Sequence, residues 1–151
     1  TGLWQRTSLV RSVARRRSDW PSVDALKTDL STKSLYRNWT PGALDAFAHY
    51  GTRTTEAGAL TLACDPRWEA SIFGSYPRGL WQAVRTVSVP VDIVVATRSY
   101  PFIRPAVKRA VGRNKRISQH VFDGGHCFPM EAPEAAAVQI NDILVDSGRG
   151  L

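Results

Sequence analysis

The chain has 151 residues, of which 43% are hydrophobic and 22% are charged. This composition is that of a globular protein, and the length allows one compact domain with a buried core. No apolar run approaches the ~20 residues that a membrane-spanning helix requires, and the chain does not open with the charged and apolar segments of a signal peptide. Because it starts at Thr1 rather than at methionine, we expect it to be part of a longer protein, for which a cytoplasmic location is favoured.

The net charge of +7 is unevenly distributed along the chain. Residues 104–116 contain six Lys and Arg side chains and no acid. Such a segment can attract nucleic acid, so a basic nucleic-acid-binding module is one alternative function. The segment lacks the interleaved aromatic and glycine residues of RNA-binding modules. We therefore favour a solvated helix face and expect no nucleic-acid partner.

The cysteines and histidines give no pattern of a metal site. Cys64 and Cys127 are far apart in the sequence, and His49, His120 and His126 are scattered. Zinc sites instead use closely spaced ligand pairs. We expect no metal and no cofactor. The two cysteines could form one disulfide, but nothing in the spacing demands it, and we favour free, buried thiols.

The first part of the chain has helical patterns. Apolar residues at helical spacing predict a helix over residues 3–16, and Ser22 can cap a second helix over residues 23–30. Thr40 and Pro41 begin a third helix, which Gly51 ends. Residues 59–64 suggest a short extended piece, and Asp65 with Pro66 starts another helix.

The second part of the chain predicts a βαβ unit. Residues 87–96 are β-branched and apolar, as in a strand covered on both faces. A helix is predicted over residues 105–113 and a second strand over residues 117–122. Two strands joined by a helix form a parallel pair with a right-handed crossover. The fold class is therefore α/β.

A tight turn follows the second strand. Gly124 and Gly125 permit backbone angles that a Cβ forbids, and His126 comes directly after them. Histidine is the side chain best suited to proton transfer near neutral pH. An amphipathic helix then runs to Asp146, so a histidine that merely caps this helix is the structural alternative.

This ending resembles the C-terminal part of α/β-hydrolases. That family commonly ends with a strand, Gly-His, and an acidic, proline-bearing lead into the last helix, present here as Gly125-His126 and residues 131–134. The resemblance implies that His126 is the general base of a nucleophile–acid–histidine triad. We predict that Tyr100, Cys127 and Phe128 line the substrate site.

The helical region also resembles a part of this family. Many members carry a helical lid, and some end it with Gly-x-Leu-x-Leu-x-Cys-x-Pro-x-x-Glu, which residues 58–69 match. The segment 16–22 is similar to another part of that insert. The resemblance implies a lid or cap over residues 1–84 and the C-terminal part of the hydrolase core over residues 85–151. An ordinary helical subdomain is the alternative.

Two features of the family are missing from the sequence. Ser99 stands where the family often has the acid, and Gly-x-Ser-x-Gly, which carries the nucleophile, does not occur. We expect the nucleophile and the acid to lie upstream of Thr1, so this chain alone should be inactive. On this view Ser99→Ala should leave turnover nearly intact.

The sequence therefore predicts part of an esterase-like hydrolase. Its partners would be a small, apolar ester and the missing N-terminal half of the same protein. The alternative, supported by Ser99 in place of the acid, is a non-catalytic binding protein with the same fold.

Overall fold

A computed structural model describes residues 7–75, 77–146 and 148. Contacts divide the chain into two compact units. Unit 1 comprises Thr1–Arg37 and Pro41–Arg78, and unit 2 comprises Asn38–Thr40 and Gly79–Leu151. The longer part of unit 2 begins at Gly79, and the predicted boundary between cap and core, between residues 84 and 85, stays a prediction.

Unit 1 combines four helices with three short strands among its described residues. In chain order these are α1 (Ser8–Ala14), β1 (Asp19–Trp20), α2 (Val23–Ser31), α3 (Pro41–Tyr50), β2 (Thr52–Thr54), β3 (Leu60–Leu62) and α4 (Pro66–Phe73). The caps are those predicted, since Ser22 accepts a hydrogen bond from the Ala25 amide and Asp65 accepts one from the Arg67 amide. The helix predicted over residues 3–16 is shorter, and its residues 3–6 lie outside the described part.

The three strands of unit 1 form an antiparallel sheet in the order β1-β3-β2. The sequence prediction contained only the middle strand, because strands of two or three residues are too short to show an alternating pattern. Leu60 and Leu62 are buried while Thr61 between them is half-buried. One face of the sheet is thus directed into the unit.

The core of unit 1 is one contiguous cluster. Its buried members are Trp20, Leu26, Leu30, Ala48, Leu60 and Leu62. Leu26 has no solvent exposure, and burial of a leucine contributes about 1.5–3 kcal/mol relative to exposure. The indole Nε1 of Trp20 donates to Asp29 at 3.2 Å, so the largest core side chain has its polar atom satisfied.

Unit 2 contains the βαβ arrangement that the sequence predicts. Its elements are α5 (Leu80–Thr86), β4 (Val91–Arg98), α6 (Ile103–Val111), β5 (Ile117–Gly125), α7 (Phe128–Glu131) and α8 (Pro133–Asp146). β4 and β5 are parallel, with register from Val91 opposite Ile117 to Ala96 opposite Phe122. The α/β class is confirmed.

The bounds of the strands differ from the prediction. β4 begins at Val91, directly after Pro90, because proline has no amide hydrogen for the ladder. β5 continues through both glycines to Gly125, with a register shift after Ala96. Both strands therefore carry their ends closer to His126 than the sequence indicated.

Helix α5 was not predicted, and side chains from the α6 region hold it in place. Asn114 Nδ2 donates to the carbonyls of Val84 and Val87 at 3.0 and 2.9 Å. The Arg109 guanidinium lies 4.1 Å from the ring centroid of Trp81, a cation–π contact. Among the described residues, no helix combines the length and apolar character needed to span a membrane.

Candidate active site

His126 lies at the carboxyl end of β5, as the sequence predicts. The strand ends at Gly125, and His126 and Cys127 form the turn before α7. Ser99 directly follows β4, the neighbouring parallel strand. Because the carboxyl ends of parallel strands meet at one edge of a sheet, the two side chains lie close together. Ser99 Oγ is 2.8 Å from His126 Nδ1.

Aromatic rings surround this pair on the β4 side. The ring of Tyr100 meets the imidazole of His126 edge-on, with 4.7 Å between centroids. Tyr100 is in turn stacked on Phe102, with 5.6 Å between centroids and 13° between planes. Tyr100 is 40% exposed and Phe102 59% exposed, so part of each side chain is accessible to a ligand. Phe102 was not predicted as a site residue.

The predicted lining residue Phe128 has a different environment from Tyr100. Its ring is stacked on Phe122, with 4.3 Å between centroids. A Cβ at Gly124 would come within 2.7 Å of the Phe122 ring, so only glycine fits beneath this pair. Phe128 is half-buried and supports the turn.

Glu131 fixes the backbone of the turn. The Gly125 amide donates to the Glu131 carboxylate at 3.0 Å, and a Cβ on Gly125 would overlap that carboxylate. Sequence reasoning missed this contact. The paired glycines before the histidine were the available signal, since they indicate that a side chain approaches the backbone closely.

Thr97 holds the other glycine of the turn. The Gly124 amide donates to Thr97 Oγ1 at 3.2 Å, and Thr97 Oγ1 donates to Asp123 at 2.8 Å. Arg98 also binds Asp123 at 3.0 Å, but both side chains are strongly exposed, so that ion pair adds little stability. Asp123 is therefore engaged by Thr97 and Arg98.

Asp92, the other carboxylate on the β4–β5 pair, binds a different histidine. Its Oδ1 is 3.0 Å from His120 Nε2. Both side chains are largely covered, with 19% exposure for Asp92 and 31% for His120. The hydrogen-bond partner of His126 Nδ1 is a neutral hydroxyl, that of Ser99.

Cys127 is a half-buried free thiol next to His126. Burial raises the pKa of Cys127, and the negative charge of Glu131 raises it further, while a hydrogen bond from Trp39 acts in the opposite direction. The thiolate is the nucleophilic form of cysteine. A raised pKa lowers the fraction of thiolate at neutral pH, which disfavours Cys127 as an attacking nucleophile.

Cys64 is exposed, so the prediction that both thiols are buried is wrong for this residue. It lies between β3 and α4, on the loop that leads into the Asp65 cap. Among the described residues, no group of three or more His, Cys, Asp or Glu side chains could hold a metal ion.

The two ring nitrogens of His126 have different roles available to them. Nδ1 is held by Ser99, so proton exchange with a reacting group would use Nε2. His126 itself is exposed. A general base likewise has one nitrogen held by a partner and the other free to meet a reactant.

No protein-family model and no curated protein matches the sequence. Solved structures do match. E-2-(acetamidomethylene)succinate hydrolase is 22% identical, with a TM-score of 0.72 over 89% of this chain and 50% of that one. The peroxisomal alpha-beta-hydrolase Lpx1 of Saccharomyces cerevisiae is 15% identical, with a TM-score of 0.73 over 93% and 39%. An M. tuberculosis esterase is 19% identical, with a TM-score of 0.66 over 90% and 46%.

The chain has the α/β-hydrolase fold. It spans about half the length of the solved structures that it matches, an extent consistent with the predicted C-terminal part.

Proposed function

We propose that this chain is part of an esterase-like hydrolase in which His126 is the general base. The observation that carries the proposal is the position of His126 at the end of β5, with Nδ1 hydrogen-bonded to Ser99 at 2.8 Å. The fold is shared with proteins named as hydrolases and an esterase, which supports hydrolysis as the reaction type.

In this mechanism a nucleophile from another part of the protein attacks the ester carbonyl. His126 accepts the nucleophile's proton at Nε2 and gives it to the departing alcohol, and water then releases the acyl group. The raised pKa of Cys127 argues against that residue as the nucleophile. We propose that the nucleophile and the acid of the triad both come from outside this chain.

The substrate proposal is an apolar ester. Tyr100 and Phe102 present a stacked pair of exposed rings beside His126, and the half-buried Cys127 and Phe128 follow His126 directly in the sequence. Exposed aromatic faces favour an apolar group in the ester. We further propose that unit 1 is the cap region of the enzyme.

The proposed partner of unit 2 is the remainder of the same protein. β4 pairs with β5, and no further strand among the described residues pairs with it. Helix α8 leaves Val138 62% exposed and Val145 57% exposed. Parallel strands are normally flanked and covered on both faces, so additional strands and helices would complete this unit.

The test is His126→Ala in the full-length protein, assayed with an activated ester. We expect kcat to fall by about three orders of magnitude or more, because the members of a triad act as a unit. His49→Ala is the matched control, since His49 is exposed on α3 of unit 1. Activity retained in His126→Ala would exclude this mechanism.

A non-catalytic binding protein is the second candidate. It is favoured by one observation, the serine that occupies the Nδ1 side of His126. A hydroxyl does not stabilise an imidazolium as a carboxylate does. A full-length wild-type protein that binds apolar esters without turning them over would support this candidate.

A further inference from the structure

The hydroxyl of Ser99 contacts Nδ1 of His126. A catalytic histidine is held in its orientation through this nitrogen. We propose that Ser99 is a positioning residue, which accepts a hydrogen bond from Nδ1–H of His126 and donates its own hydrogen to the carboxylate of the triad acid. This inference rests on the proposed function, because it assigns Ser99 a role only if His126 acts as a base.

The distance and the setting favour a fixed contact. The separation of 2.8 Å between Ser99 Oγ and His126 Nδ1 lies within the normal range for a hydrogen bond. Both residues follow parallel strands that are paired up to Arg98 and Gly125. Tyr100 packs edge-on against the imidazole. The ring of His126 is thus held by a polar contact and an aromatic contact.

The direction of the hydrogen bond decides whether His126 can be a base. If Ser99 donates to Nδ1, the ring proton lies on Nε2, and that nitrogen cannot accept a proton. If Ser99 accepts from Nδ1–H, Nε2 carries the free electron pair that the mechanism needs. The second arrangement leaves the hydroxyl hydrogen of Ser99 available for another acceptor.

A carboxylate is the acceptor that fixes this second arrangement. It can only accept when ionised, so it orients the Ser99 hydrogen away from Nδ1. The hydroxyl oxygen then accepts from His126. No proton leaves Ser99 in this scheme. The serine fixes the orientation of the imidazole and polarises its Nδ1–H bond, while the reacting proton is exchanged at Nε2. Asp123 and Asp92 already bind other partners, so we assign the acceptor to the acid proposed outside this chain.

This role changes the expected result for Ser99→Ala. If Ser99 only occupied an unused position, as the sequence suggested, the substitution would be nearly silent. As the link between His126 and the acid, Ser99 should be needed to hold the correct tautomer. We expect Ser99→Ala to lower kcat about tenfold or more, with KM little changed because Ser99 acts through His126.

The experiment compares wild type, Ser99→Ala, Ser99→Thr and His126→Ala in the full-length protein with an activated ester. Ser99→Thr keeps the hydroxyl and should retain most of the activity that Ser99→Ala loses. In parallel, ¹⁵N NMR of the neutral imidazole should show Nδ1 protonated in wild type and a shift towards the Nε2–H tautomer in Ser99→Ala.

The outcomes separate this inference from the proposed function. An inactive His126→Ala together with a fully active Ser99→Ala would overturn the role of Ser99 and leave the function standing. Equal losses in Ser99→Ala and Ser99→Thr, or an unchanged ¹⁵N pattern, would also overturn it, because the hydroxyl would then not be the operative group. An active His126→Ala would remove the function itself.

Discussion

The two units bury very different side chains. Unit 1 buries a tryptophan and four leucines together with Ala48 in its central cluster. Among the described residues of unit 2, the buried apolar ones are Val95, Ala96, Ala110, Ile117 and Ala136, of which three are alanines. Unit 1 also exposes large apolar side chains, notably Trp68 and Ile72 on α4, but these lie outside its core.

This difference indicates which of the two units buries enough apolar side chains to form its own hydrophobic core. The sequence of β4 is that of a strand covered on both faces, yet only Val95 and Ala96 are buried along it. Exposed side chains remain on α8, where Val138, Ile140 and Val145 are all more than 40% exposed. Unit 1 thus contains most of its own hydrophobic stabilisation, whereas unit 2 carries the candidate chemistry on a less fully covered framework.

The largest expected effect is on the state of the chain in solution. Expressed alone, the 151-residue chain should self-associate through unit 2, because among the described residues one edge of β4 has no paired strand and α8 exposes apolar side chains. Analytical ultracentrifugation should show species larger than a monomer. A soluble monomer with a sharp, reversible thermal transition would contradict this expectation.

The same measurement can assign the association to one unit. Val138→Lys on α8 should reduce it, whereas Ile72→Lys on α4 should have a smaller effect. Both positions are more than 60% exposed, so the two substitutions are matched in exposure. A larger reduction of self-association in Ile72→Lys than in Val138→Lys would place the association in unit 1. It would contradict the conclusion that unit 2 is the less fully covered unit.

The next largest expected effect is on catalysis, and it concerns Gly125, the residue before His126 in unit 2. Gly125→Ala should lower kcat of the full-length protein by about ten- to a hundredfold, because the added Cβ overlaps the Glu131 carboxylate and displaces the backbone before His126. Gly112→Ala is the control, since the nearest atom there lies 3.5 Å from the added Cβ. Similar kinetics for the two variants would show that Glu131 does not position the turn.

The smallest expected effect is on the pH dependence of stability at acid pH, and it concerns a carboxylate of unit 1. Burial of Asp29 opposes its ionisation, but hydrogen bonds from Lys33 and Trp20 and the charges of Lys33 and Arg17 outweigh burial and lower the pKa of this carboxyl. A pKa that is lower in the folded than in the unfolded state stabilises the fold above about pH 4 and loses this contribution as the pH falls through the folded value.

Asp29→Asn should therefore cost about 1 kcal/mol at pH 7 and reduce the drop in thermal stability between pH 7 and pH 3. Thermal melts followed by circular dichroism measure both quantities. Asp142→Asn, an exposed change on α8 of unit 2, is the control. An undiminished acid dependence in Asp29→Asn would mean that other carboxylates carry it.

The strand–helix–strand order of β4, α6 and β5 could be predicted because its signals are local, whereas α5 and α7 were not predicted. The β-branched run of β4 and the paired glycines before His126 are visible in the sequence. The contacts of Glu131 with Gly125 and of Ser99 with His126 could not be derived in this way. They depend on the register of β4 with β5 and on the start of α7, which are set by tertiary packing.

The short sheet of unit 1 was missed for a related reason. β1 has two residues and β2 has three, and their pairing with β3 fixes them more than their own composition does. The burial of Trp20 and Thr52 at these strands follows from that pairing. Sequence periodicity carries no information about partners so far apart along the chain.

Helix α8 also acts on the outer side of β5. Gln139 Nε2 donates to the backbone carbonyl of Val121 at 3.0 Å, so a side chain occupies an acceptor that an added strand would use. Within unit 2, addition of a strand is therefore hindered at this point of β5, whereas the other side of β4 has no paired strand among the described residues. Two chains that joined through their β4 edges would leave only β5 as the edge strand of the combined sheet, and Gln139 would hinder further extension by this route.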